Sequence, residues 1–136
     1  MSGPSTPRLH YVEAAYVMPD RWVTMNDRLH PRQQGKIKNR WIEACKMFGY
    51  DMWRKHGKPP EDQRVEVQIV FGTRRPNQRR DPANWMLCTK WVLDGLVAGG
   101  LFADDDSKHV IQLEPGFTDR IPSTHFMIRL EWSTPT

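Results

Sequence analysis

Apolar and polar residues alternate along residues 64–71. Val65, Val67 and Ile69 fall on one side and Glu66 and Gln68 on the other, which predicts a half-buried strand. Residues 9–17, mixed in polarity and rich in Tyr and Val, predict a strand as well. From residue 32 to about 55 the period lengthens. Ile37, Trp41, Ala44 or Cys45, Phe48 and Met52 recur at spacings of three and four, while Lys36, Arg40, Lys46 and Arg54 occupy the opposite face. This is an amphipathic helix with a basic outer face, stopped by Gly57 and Pro59-Pro60. A second helix carries Trp85, Cys88, Val92 and Leu96 on one stripe, with Leu93 and Val97 beside it. Asp81-Pro82 can begin it, since Asp caps well and Pro is tolerated at the first helical position, and Gly99-Gly100 marks its end. Residues 109–113 predict a strand, Pro115-Gly116 a turn, and residues 125–132 a last strand. The order strand, helix, strand, helix, strand, strand predicts an α+β fold, a small mixed β-sheet packed by two helices. Residues 1–8 are expected to be a flexible tail and residues 9–136 one domain.

Composition sharpens this picture. With 38 % hydrophobic and 26 % charged residues over 136 positions, the chain is neither disordered nor a membrane protein in kind, and no apolar run approaches the ~18 residues of a membrane helix. No signal peptide is visible, so a cytoplasmic location is expected. Cys45 and Cys88 have no metal-ligand spacing and sit in helical patterns, as buried thiols do. His30, His56, His109 and His125 form no ligand spacing either.

The net charge of +4 says less than its distribution. Nine Lys/Arg and two acids lie between Arg28 and Lys58. Arg74, Arg75, Arg79 and Arg80 fall within seven residues, and the acids gather at Asp104-Asp105-Asp106. Separated basic and acidic zones fit a polyanion held by the first and a metal by the second. Each element also has a plain structural reading. Asp81 serves equally as a helix cap, Lys90 and Asp94 as an i,i+4 ion pair, and the triple Asp as a solvated turn. Trp22, Trp41, Trp53, Trp85, Trp91 and Trp132 could stack on unpaired bases, but most lie on apolar stripes and read as core; Trp22, in a turn-rich stretch, is the most open.

At these residues a family resemblance becomes specific. Arg79-Arg80-Asp81-x-x-Asn84, then Lys90-x-x-x-Asp94-Gly95-Leu96-x-x-Gly99-Gly100, then Asp104-Asp105, resembles the signature of the RusA family, small and often phage-encoded endonucleases that cut four-way (Holliday) DNA junctions. The stretch from Met25 to His30, followed by a basic helix with Trp41, resembles the family's N-terminal half. The resemblance implies a homodimer that binds branched DNA and hydrolyses phosphodiesters with Mg²⁺ (Mn²⁺ substituting) and with no small-molecule cofactor. It implies catalytic roles for Asp81, Lys90 and Asp105 and metal ligation by Asp81, Asp104 and Asp105, which suits a cation that activates water and a lysine that neutralises phosphoryl charge. The arginines that precede Asp81, namely Arg74, Arg75, Arg79 and Arg80, are expected to contact phosphates, with Lys36, Lys38 and Arg40 as weaker candidates.

Two departures stand out. Ala83 occupies the position where the family usually has a second aspartate, and the gap between Asn84 and Lys90 is longer, enough for an added turn. Asn84, Asp94 or Asp106 could replace the missing ligand, and Mg²⁺ also tolerates two carboxylates plus waters and phosphate. Two other readings stay open: a junction-binding protein that no longer cuts, which Ala83 favours, and a protein-interaction domain, which leaves the arginine loop unexplained.

Overall fold

The alternation read from the sequence becomes a mixed sheet whose helix-facing side is apolar. A computed structural model describes residues 8–24, 27–78, 80, 82–104 and 108–134, with backbone alone for Pro82 and Ala83. The strands are β1 (Arg8–Val17), β2 (Val65–Gly72), β3 (Val110–Gln112), β4 (Gly116–Thr118) and β5 (His125–Thr134); the helices are α1 (Pro31–His56) and α2 (Met86–Ala98). Strand order is β1-β5-β2-β3, with β4 also on β2. β1 pairs antiparallel with β5 over ten residue pairs, from Arg8↔Thr134 to Val17↔His125. β5 is antiparallel to β2, whereas β3 and β4 run parallel to it. This is the α+β arrangement of a mixed sheet and two helices.

Val65, Val67, Ile69 and Phe71 of β2 and Phe126, Ile128, Leu130 and Trp132 of β5 turn toward the helices and are buried. Across the other face, one row runs Tyr11, Glu131, Glu66, Ile111 through four strands. From α1, Ile37, Trp41, Cys45, Gly49 and Met52 enter the core, so Cys45 rather than Ala44 occupies the stripe. The Trp41 indole donates to Arg21 O at 3.1 Å and the Trp53 indole to Gly99 O at 2.9 Å, so both bury their rings without stranding an N–H. Both thiols are buried, and burial pushes them up, Cys88 to about 12, which favours the protonated form at neutral pH.

The two helices touch backbone to backbone because glycines line the contact. A Cβ on Gly95 would meet Cys45 and come within 2.7 Å of Ile42 O; one on Gly99 would meet Lys46 O and approach Tyr50 N at 3.1 Å; Gly49 faces Leu96 in the same way. The C-terminus of α2 ends in a Schellman turn. Gly100 has φ +87°, Leu101 N donates to Leu96 O at 3.1 Å, and Gly100 N donates to Val97 O at 3.0 Å. Leu101 and Leu96 are both buried, completing the apolar contact typical of that turn.

Three local expectations are corrected. The α-helix proper begins at Met86, after a 3₁₀ turn over Pro82–Trp85, with Trp85 at the N-cap and no side-chain cap bond. The residues just before α2 thus form a tight turn, and the α-helix does not reach back to Pro82. The turn expected at Pro115-Gly116 is corrected: the chain does not reverse there, since β3 and β4 both run parallel to β2, and Gly116 already belongs to β4, whose residues Gly116, Phe117 and Thr118 pair with Val70, Phe71 and Gly72. Arg8, placed in the tail, opens β1 opposite Thr134. Among the described residues no helix is long and apolar enough to cross a membrane.

Candidate nucleic-acid interface

α2 returns along β2 from one end of the strand to the other, and this organises the candidate residues. At the C-terminal end of β2, the Trp85 ring lies 5.5 Å from Phe71 and 5.1 Å from Phe117. Trp22 closes the cluster, 4.5 Å from Phe71 and 4.1 Å from Trp85. Trp22 is thus part of an aromatic floor, and its turn-rich segment is held there by packing. At the N-terminal end of β2, Phe102 and Ala103 share a cleft with Pro59, Val65 and His109.

The arginine loop stands on that aromatic floor. Thr73 N donates to Thr118 O at 2.8 Å, and Gln78 N donates to Arg75 O at 3.2 Å across Pro76-Asn77. Pro then Asn at the centre is turn chemistry, because Pro presets φ and Asn tolerates the following position. Arg80 ties the loop from inside. Its Nη1 donates to Arg75 O (2.9 Å) and Gln78 O (3.2 Å), its Nη2 donates to Thr73 Oγ1 (3.0 Å), and its guanidinium lies 4.6 Å from the Phe117 ring centroid. Arg80, expected from the sequence to contact phosphate, is engaged within the chain as a clamp that closes the loop and seats it on Phe117, while Arg74 and Arg75 are exposed. Phe117, which no local pattern marked, is what the clamp rests on.

The clamp has a measurable consequence. In Arg80→Lys a single ammonium cannot reach three acceptors in a planar fork. With each lost bond contributing about 1 kcal/mol, amide exchange at Arg75 and Gln78 should rise by about tenfold in DNA-free protein. Unchanged exchange at both amides would show that Arg80 does not brace the loop.

Arg40 and Lys36 sit one turn apart on the exposed side of α1. Arg40 Nη1 bonds Asp20 Oδ2 at 2.8 Å. Asp20 and Arg21 lead directly into Trp22, so this basic turn lies at the same end of the molecule as the arginine loop. Lys38 is exposed nearby. Arg79 lies outside the described residues.

Of the residues expected to carry chemistry, Asp81 and Asp105 lie outside the described residues, as does Asp106. Lys90 is half exposed on α2, and its Nζ stands 3.1 Å from Asp94 Oδ1, the i,i+4 pair that its spacing predicts. Asp104 is exposed and follows Ala103 at the N-terminal end of β2. Arg80 and Pro82, which flank position 81, stand at the other end. The 3₁₀ turn and the thirteen residues of α2 between them span roughly 25 Å. The carboxylates of Asp94 and Asp104 are hard oxygen groups of the kind Mg²⁺ takes. Among the described residues, however, no group of three His, Cys, Asp or Glu side chains could hold a metal ion.

No protein-family model matches this chain, and no curated protein matches it. Among solved structures it is similar to the crystal structure of the hydrogenase maturation protein HypE, at 8 % identity and a TM-score of 0.33. The match covers 98 % of this chain but 32 % of that one, and a superposition so loose carries no argument about kinship or function.

Proposed function

We propose that this chain is a Mg²⁺-dependent endonuclease that binds four-way DNA junctions as a homodimer and cuts them by paired phosphodiester hydrolysis, as the RusA family does. The observation that supports this most is the exposed pair Arg74 and Arg75, carried on a loop braced from within and placed directly before position 81. Arg74, Arg75, Lys36 and Arg40 supply phosphate contacts at one end of the molecule, which gives affinity without sequence preference. Asp81, Asp104 and Asp105 would hold Mg²⁺, with Mn²⁺ as a substitute. Bound there, the ion would supply polarisation of the phosphate and a water of lowered pKa. Lys90, steadied by Asp94, is suited to neutralise charge on a phosphoryl oxygen.

The separation of Asp104 from the chain that flanks position 81 gives dimerisation a chemical purpose. The two acidic ends would meet across the subunit interface, Asp81 of one chain beside Asp104 and Asp105 of the other. A second reading, junction binding without cleavage, is favoured by the same separation and by Ala83.

A labelled synthetic four-way junction incubated with Mg²⁺ and with chelator, beside a linear duplex of matching sequence, separates the two. Paired symmetric nicks in the junction alone, dependent on Mg²⁺, are expected. Binding that weakens steeply with salt but yields no nick in Mg²⁺ or Mn²⁺ would establish the binding-only reading.

A further inference from the structure

The arginine loop has a neighbour that the sequence does not single out. Residues 119–124 join β4 to β5 and lie against the end of β2 because Gly72 has no side chain. A Cβ there would stand 2.8 Å from the Pro122 carbonyl carbon and 2.9 Å from His125 O. The 122–125 turn is closed by His125 N donating to Pro122 O at 2.9 Å, and the two loops are tied by Thr73 N donating to Thr118 O. Between them runs an open groove of about 350 Å³, lined by Thr73, Arg74, Asp119, Ile121, Ser123 and Thr124 among others. Arg120, exposed, lies on the same loop.

One hydroxyl of the groove is prepared for an anion. Thr73 Oγ1 already accepts from Arg80 Nη2 and from Arg75 N. With its oxygen so engaged, what this hydroxyl has left to give is the O–H donor. Phosphodiester oxygens accept and never donate, so donors flanked by guanidinium groups complement them. The groove is open along its length, which suits a strand passing through it better than an enclosed small molecule.

We propose that the groove between residues 73–74 and 119–124 is a second binding site for the DNA phosphodiester backbone, with Arg74 on its wall and Arg120 exposed on the connection that forms the other side. It rests on the nucleic-acid reading above and extends it: the groove leads a junction arm past the arginine loop, so the contact surface includes the β4–β5 connection. Asp119 is the one acid on its lining and opposes the anion, so it limits affinity.

The test is binding of a fluorescent four-way junction across a KCl series, with chelator present so that nothing is cut. Arg120→Gln should bind several-fold more weakly and reduce the slope of log affinity against log salt by about 0.9, one phosphate contact. Asp119→Asn should bind more tightly. Arg64→Gln, an exposed arginine at the opposite end of β2, removes the same charge without touching the groove and should leave the slope unchanged. Circular dichroism of each variant checks the fold. If wild type binds but Arg120→Gln behaves as Arg64→Gln does, the groove is overturned while the junction-binding reading stands. If wild type binds no junction at low salt, both fall.

Discussion

Gly95→Val should lower the stability of the folded chain by about 3 kcal/mol, the upper end of what overpacking a tight core costs. Even a methyl at this position would meet Cys45 and stand 2.7 Å from the carbonyl oxygen of Ile42. One of those obstacles is helix backbone and cannot turn aside as a flexible side chain does. The helices would have to part, loosening Trp41, Cys45 and Leu96, which are fully buried between them. The modest gain in helix propensity on leaving glycine does not offset this. A lower urea midpoint at unchanged slope is the expected readout. Gly35, inside α1, has nothing within 4 Å of its would-be Cβ. Gly35→Ala should therefore raise stability by roughly 0.5–1 kcal/mol. Opposite signs for the two glycines would establish that close helix contact, not helix propensity, is why glycine stands at position 95. A wild-type midpoint for Gly95→Val would show that the helices are not in backbone contact.

Asp105→Asn should abolish junction cleavage while leaving junction affinity within a few-fold of wild type. The carboxylate is assigned to the metal, whose contribution of several kcal/mol corresponds to a loss on the order of a thousandfold in rate. Under the proposed function, affinity is assigned instead to exposed arginines such as Arg74 and Arg75. Retained cleavage in Asp105→Asn would remove the site assignment, whatever the fold. Mixed dimers of Asp81→Asn and Asp105→Asn subunits then ask where the site is built. If each site draws position 81 from one subunit and position 105 from the other, half of the sites in a mixed dimer are intact and one strand is nicked. If every chain builds its own site, the mixed dimer is inert. The placement of Asp104 and of the Arg80–Pro82 flank at opposite ends of α2 favours recovery of nicking.

What the chain announces locally, it announces well. The two-residue alternation of Val65, Val67 and Ile69 and the three-to-four spacing of Ile37, Trp41, Cys45 and Met52 each report which side of an element meets the core, since burial follows the period of the backbone. The Lys90–Asp94 pair is equally local, one helical turn long, and stands where its spacing puts it. The α+β class follows from the order of such elements. Gly99-Gly100 could be read as a helix end because a left-handed residue there is a local demand of the chain.

Other features were decided only in three dimensions. β4 is three residues long, too short for any period to register, and exists because Phe117 finds Phe71 forty-six positions away. Gly95 reads as a weak point in a helix until Ile42 and Cys45 are brought against it. Arg80 looks like its neighbours in a basic run, yet its three acceptors and the ring beneath it turn it inward. Charge pattern cannot tell a clamp from a contact, because the difference lies in which carbonyls a folded loop presents. The distance between Asp104 and the start of α2 is likewise set by the return of α2 along β2. The amino-acid sequence by itself determined the longer elements, their apolar faces and the residue types of a candidate site. The tertiary structure alone decided which of those residues share an end of the molecule, because that depends on contacts between segments far apart in the chain.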